Sequence, residues 1–170
     1  MQLKFGETLV KDGMALAAKD VRDRPVVQFK SGVEVDGAFF TVTLTDPDAP
    51  SPADPKYGPW VHYVVINVAG KEVLDLDSGE VLVDWVPSAP GEGSGVHGYV
   101  LHVFRQTKGR VEPPAMEKIP VASGFAPRRN FDLDNLVKTL NLEPVKGTPV
   151  VYKTEYDDSV PEIHKKVLGE

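Results

Sequence analysis

Two carboxylates stand one residue apart in Thr45-Asp46-Pro47-Asp48-Ala49-Pro50-Ser51-Pro52, and two histidines, His62 and His97, each head an apolar run further along the chain. Carboxylate and imidazole together can move protons, ligate zinc or iron, or present charge to an anion. Each feature also has a plain reading. Asp, Pro and Ser are turn residues, and a lone histidine can be a hydrogen-bonded core residue. Several chemistries are excluded by spacing. The Asp46 segment lacks the glycine and closing glutamate of a calcium loop. Gly91-Glu92-Gly93-Ser94-Gly95 lacks the GK[ST] ending of a phosphate loop, although its glycines would let backbone N–H groups approach an anion. No serine sits in a G-x-S-x-G elbow and the chain has no cysteine, which removes the commonest nucleophile signatures. The Asp/His cluster therefore leaves three uses open: an anion-binding pocket, a hydrolase-type enzyme, or a metal site.

The elements that must position these residues are mostly strands. Phe39–Thr45 alternates threonine with apolar residues, the period of a half-buried strand. Val61–Val68 and Tyr99–Phe104 are rich in β-branched and aromatic residues, and Val26–Phe29 and Val150–Thr154 are shorter candidates. In an extended chain Phe40, Val42, Leu44 and Asp46 share a face, so Asp46 ends the apolar side of its strand, and Asp48 is expected to point the same way. Pro47 helps by fixing its own φ and disfavouring helix at Asp46. His62 heads the row His62, Val64, Ile66, Val68, and His97 heads the row His97, Tyr99, Leu101, Val103. The three rows predict Asp46, His62 and His97 around one pocket mouth.

Helical signal is confined to the C-terminal third. Leu133, Leu136, Val137 and Leu140 form one apolar stripe, with Asp132 as the cap and Phe131 placed to staple against Leu136. Ser159-Val160-Pro161-Glu162 has capping-box spacing ahead of a second short stripe, Val160, Ile163 and Val167. Both helices are expected to serve packing only.

The chain has 170 residues, 41% of them hydrophobic, with 15 glycines and 15 prolines scattered as turn residues. That suits one compact, mainly β domain over residues 1–170. A formal net charge of -6 argues against nucleic-acid partners and against broad attraction to anionic membranes, leaving peripheral membrane contact at most. The absence of cysteine fits a reducing compartment, and no apolar signal core is visible in MQLKFGETLVKDG, so a soluble, cytoplasmic monomer without a cofactor is expected.

The segments DPDAPSPADPKYGPWVHYVVIN, GSGVHGYVLHVFRQ and YKTEYDDSVPEIHKKV together resemble the phosphatidylethanolamine-binding protein family, over roughly residue 20 to the end. The resemblance implies a large antiparallel sheet, a smaller sheet and C-terminal helices. It also implies a non-enzymatic regulator with a small pocket for phospholipid headgroups or phosphate-like anions, including phosphorylated partners, and with a protein kinase or serine protease as protein partner. Matching positions imply Asp46, Asp48, Pro50, Tyr57, Trp60, His62, Ala89, Pro90, His97 and Tyr99 as ligand-binding residues. Two positions depart from the family pattern: Gly98 stands where an arginine is usual, and Ala89 where a glycine is usual. The family's cis peptide before the pocket tryptophan predicts a cis Gly58–Pro59 bond, which is inexpensive because an X–Pro bond costs only about 0.5–1 kcal/mol in cis.

Two acids facing an anion repel it, so the histidines must invert the local field. An imidazolium held by an aspartate would do this, with Tyr99 and the glycine-rich loop completing the donors. Affinity for phosphate-like ligands is then expected to rise as pH falls through the histidine range near 6.5.

Overall fold

The computed structural model describes residues 1–170 as two packed sheets with two helices. Strands β1 (Gln2–Phe5), β2 (Thr8–Leu9) and β4 (Val26–Gln28) form a three-stranded sheet in the order β2-β1-β4. The large sheet contains β3 (Met14–Ala15), β5 (Phe39–Asp46), β6 (Trp60–Ala69), β7 (Glu80–Val83), β8 (His97–Gln106), β9 (Leu142–Pro144) and β10 (Val150–Thr154). Its order is β3-β10-β8-β5-β6-β7, with β9 pairing the far end of β8 on the side used by β10. All pairings are antiparallel except the short edge strand β3, which runs parallel to β10. The fold is mainly β with C-terminal helices. The three longest strands are the three strongest periodic runs of the sequence, since long apolar alternation leaves few other ways to bury both sheet faces.

One face of the large sheet packs on the small sheet through Phe40, Val42, Leu44, Tyr99, Leu101 and Val103 against Leu3, Phe5 and Val27. The other face packs Val61, Val64, Ile66 and Phe104 under helix α1 (Leu133–Leu140). Helix α1 starts as its sequence dictates: Asp132 accepts from Asn135 N at 2.9 Å, and Leu136 and Leu140 are buried with Phe131 beside them. It ends at Asn141, whose φ of 52° places it in the left-handed region that terminates helices.

Helix α2 (Val160–Leu168) starts differently from the capping box the sequence suggests. Ser159 is already helical and makes no side-chain cap; its backbone N–H and hydroxyl both donate to Asp157 Oδ1. Glu162 is drawn outward instead, pairing with Arg22 at 2.9 Å and Lys166 at 3.1 Å. Two solvent-side cations outcompete one backbone N–H for that carboxylate.

The row His62, Val64, Ile66, Val68 does not survive as one face. Tyr63 and Val65 lie in the core between the sheets, and Val64 and Ile66 lie under α1. Strict alternation would therefore send His62 under α1. The register steps from Leu44↔Tyr63 to Thr45↔Val61, so two steps on β6 oppose one on β5. This bulge turns His62 to the side of Tyr99, with ring centroids 5.1 Å apart. A second slip between Val65↔Val42 and Val68↔Phe40 contains Asn67 at φ 59° and brings Val68 back to the inter-sheet core.

Candidate functional site: a cavity at the end of the large sheet

At the end of the inter-sheet core, where β5 and β8 pass into loops, a cavity of about 220 Å³ opens to solvent. Asp46, from the last residue of β5, His62, from the β6 bulge, and His97 and Tyr99, from the start of β8, line its floor and are each under 5% exposed. Its walls are apolar and aromatic, with Trp60 packed on His62 at 4.5 Å between ring centroids and on Phe125 at 6.5 Å. Pro50, Tyr57, Ala89 and Pro90 line the cavity as the sequence motifs imply. The bonds before Pro50 and Pro59 are cis.

Asp48 does not join them. Its carboxylate turns back to the sheet and accepts from Gly98 N at 2.7 Å, while its own N–H donates to Asp46 Oδ1 at 2.8 Å. The chain leaves β5 in an Asx-type turn right after Asp46, so the two-residue repeat that would have aimed Asp48 inward ends there. A Cβ on Gly98 would lie 3.4 Å from Asp48 Oδ2, an ordinary contact, so the hydrogen bond and not the glycine fixes the Asp48 carboxylate there.

The floor is a closed hydrogen-bond chain. His97 Nδ1 donates to Asp46 Oδ2 at 2.7 Å, and His97 Nε2 lies 3.0 Å from Ser94 Oγ. The Ser94 hydroxyl donates to Gly91 O at 2.7 Å. A Ser–His–Asp sequence of contacts is also what a nucleophilic triad uses. Here Ser94 is not on the cavity wall, and its one proton is directed to a carbonyl, so the contact orients the imidazole and closes the glycine-rich loop.

His62 is held differently. Its Nδ1 lies 2.8 Å from Val86 O, a carbonyl that can only accept, so Nδ1 carries the proton. Burial lowers its pKa to about 4; the Asp46 charge and the Val86 bond oppose that, and the Arg128 charge adds to it. His62 is therefore a neutral ring at ordinary pH. Burial also raises the Tyr99 hydroxyl well above its usual value, with the Asp46 charge adding to it, so Tyr99 keeps its proton.

Four cavity residues carry signals that sequence reading passed over. Helix α2, expected only to pack, supplies His164 and Val167. His164 Nε2 donates to Ala89 O at 2.9 Å, tying the helix to the segment opposite. Phe125 and Arg129 come from the loop before α1. Neighbouring Arg128 is fully buried: Nη1 donates to Val61 O, His62 O and Asp84 O, and Nη2 to Pro120 O at 3.0 Å. Its fork ties the carbonyls of Val61 and His62 at the bulge, the latter also accepting from Val86 N at 3.0 Å, to those of Asp84 and Pro120, and burial lowers its pKa to about 10 against the pull of Asp84. The adjacent pair Arg128-Arg129 was the visible hint, but nothing in the sequence tells the buried arginine from the exposed one.

The family description that matches the chain, phosphatidylethanolamine-binding protein, covers residues 4–148. The chain belongs to the phosphatidylethanolamine-binding protein family. Among curated relatives, it is 25% identical over 171 residues to putative odorant-binding protein A5 of Drosophila melanogaster, spanning 99% of this chain and 76% of that protein. Among solved structures, it resembles the CG7054 solution structure at 30% identity, TM-score 0.74, over 98% of this chain and 89% of that one. A carboxypeptidase Y inhibitor, solved in complex with its cognate proteinase, shares the fold at 22% identity and TM-score 0.70, over 92% of this chain and 82% of the inhibitor. The roles of Asp46, His62 and His97 rest on the geometry above.

Proposed function

We propose that this protein is a non-enzymatic binding and regulatory protein whose sheet-end cavity takes a small ligand carrying an anionic group, as on a phospholipid headgroup or a phosphorylated partner. The observation that carries the reading is the small, mostly apolar cavity floored by a locked Asp46–His97 pair, a neutral His62 and the Tyr99 hydroxyl. Such a site suits recognition: apolar walls with a few convergent polar groups. The match to the family, and to an inhibitor solved with its proteinase, supports a role exerted on another protein, with a protease as one class of target; a protein kinase is the other class we propose. A metal is less suited to the floor, because Asp46 already receives the Nδ1–H of His97 and His62 Nδ1 already donates to Val86 O.

The test is binding of O-phosphorylethanolamine, followed by calorimetry and by Trp fluorescence, for the wild type and for Ala89→Phe. Phenylalanine at 89 places a bulky ring in the cavity while keeping Asp46, His62, His97 and Tyr99 themselves unchanged. Saturable binding by the wild type and its loss in the filled variant support the reading. Equal binding by both places the ligand elsewhere. Release of inorganic phosphate from the ligand over hours would instead favour an enzyme.

A further inference from the structure

Past the end of β3 the chain follows β10 for one more step and then parts from it. In a regular parallel pair centred on Leu16 and Thr154, Leu16 would give its N–H to Lys153 O and accept at its own C=O from Glu155 N. The first bond is present at 2.8 Å; the second is not made, and neither Leu16 O nor Glu155 N takes part in another backbone bond. The two segments rejoin where Asp157 Oδ2 accepts from Lys19 N at 2.9 Å. Between these bonds lies a groove of about 310 Å³, lined by Ala15, Leu16, Ala17, Val96 and residues 153–157, none of them shared with the sheet-end cavity.

The groove carries a polar group and an apolar one that both lack company. Thr154 is 1% exposed, and its Oγ1 is a buried atom without a hydrogen-bond partner, so it bears its desolvation cost uncompensated. Val96, on the wall, is 48% exposed. The rim sets the sign of what could fill the space. Glu155 and Asp157 line it, and partial desolvation together with the charges of Glu92, Asp158 and Asp157 raises the Tyr156 hydroxyl. Lys153 is the opposing cation on the wall, and Lys19 acts on Asp157. Asp157 is already taken by Lys19 N, Ser159 N and Ser159 Oγ, whereas Glu92, Glu155 and Asp158 belong to none of the five ion pairs. Four carboxylates against two ammonium groups leave the groove negative, with unused oxygens inside it.

We propose that this groove is a docking site for a lysine side chain presented by a partner protein. The apolar stem lies against Leu16, Ala17 and Val96, and the ammonium brings its three donors to Leu16 O, Thr154 Oγ1 and the Glu155 carboxylate. Lysine suits the seat better than arginine, because the acceptors are single oxygens from three different residues and not one coplanar pair. The groove is separate from the sheet-end cavity, so its use does not depend on what that cavity binds.

The experiment is an NMR titration of the wild type, Thr154→Val and Lys153→Gln with acetyl-Ala-Lys-Ala-amide and with the same peptide carrying norleucine in place of lysine. The lysine peptide is expected to saturate and to shift the backbone amides of residues 15–17 and 153–157. Norleucine keeps the stem without the charge and binds roughly 10-fold more weakly or worse. Thr154→Val keeps the shape, does not lower the melting temperature because the hydroxyl has no partner to lose, and weakens the lysine peptide roughly 3-fold or more. Lys153→Gln removes the opposing charge at an exposed position and tightens the lysine peptide about 2- to 3-fold, a gain that added salt abolishes. Equal affinity for the lysine and norleucine peptides, or equal affinity of the wild type and Thr154→Val for the lysine peptide, overturns the inference. An absence of saturable shifts at the groove overturns it too, and either result leaves the reading of the sheet-end cavity standing.

Discussion

The neutral state of His62 makes stability depend on pH in a calculable way. Its folded pKa of about 4 lies below the ordinary 6.5, so between these values the unfolded chain binds a proton that the folded one refuses. Stability therefore rises with pH across that window and falls as the protein is acidified through it. From pH 7 to pH 5 the single group costs about 2 kcal/mol, and the loss levels off at about 3 kcal/mol below pH 4. The paired carboxylates Asp157 and Glu162 have folded values below their ordinary 3.8 and 4.5, so their contribution is lost at lower pH and leaves the range from 7 to 5 to histidines. His102, also lowered by burial, acts in the same direction. The measurement is urea unfolding, followed by Trp fluorescence, at pH 5, 6 and 7 for the wild type and His62→Asn. Asparagine places an amide donor near Val86 O and cannot ionise. Its baseline stability will be lower, but its pH slope should be shallower by about 2 kcal/mol across the range. Parallel slopes for the two proteins would refute the assignment of His62 as a buried neutral ring.

Asp48→Ala should lower stability by about 1–3 kcal/mol, because Gly98 N loses a charged acceptor, yet leave ligand affinity within about 2-fold. Unfolding curves and calorimetry on the same sample separate the two effects, and a large loss of affinity in a folded variant would return Asp48 to the binding residues. Arg128→Met should cost about 3 kcal/mol or more by removing the shared donor of the Val61, Asp84 and Pro120 carbonyls, and Arg128→Lys should recover only part, since one ammonium cannot span them all. A histidine NMR spectrum should show the His62 ring resonances displaced or broadened in both variants; an unchanged His62 would mean that the bulge holds without the guanidinium.

Local patterns in the chain were sufficient for much of this protein. The alternation in Phe39–Asp46 and His97–Gln106 set two central strands and delivered Asp46, His97 and Tyr99 to the inter-sheet side, because side-chain direction in an unbroken strand follows from parity alone. Asp132 and the stripe of α1 needed only the geometry of one helical turn. Where the reading failed, information from another segment was required. The direction of His62 depends on a bulge whose carbonyls are clasped by Arg128, 66 residues away. Asp48 is turned aside by Gly98 N, 50 residues on, and Glu162 is pulled from its helix end by Arg22, 140 residues back. The short strands β1, β2, β3, β7 and β9 are too brief for periodicity to separate them from loop: β3, β7 and β9 form where longer strands of the large sheet offer an edge, and β1 and β2 form by pairing with each other and with β4. The exposure of Arg129 is of the same kind. Arg128 and Arg129 are chemically identical neighbours, and only the packing of their loop over Trp60 and Tyr57 buries one as a strut and leaves the other exposed at the cavity mouth.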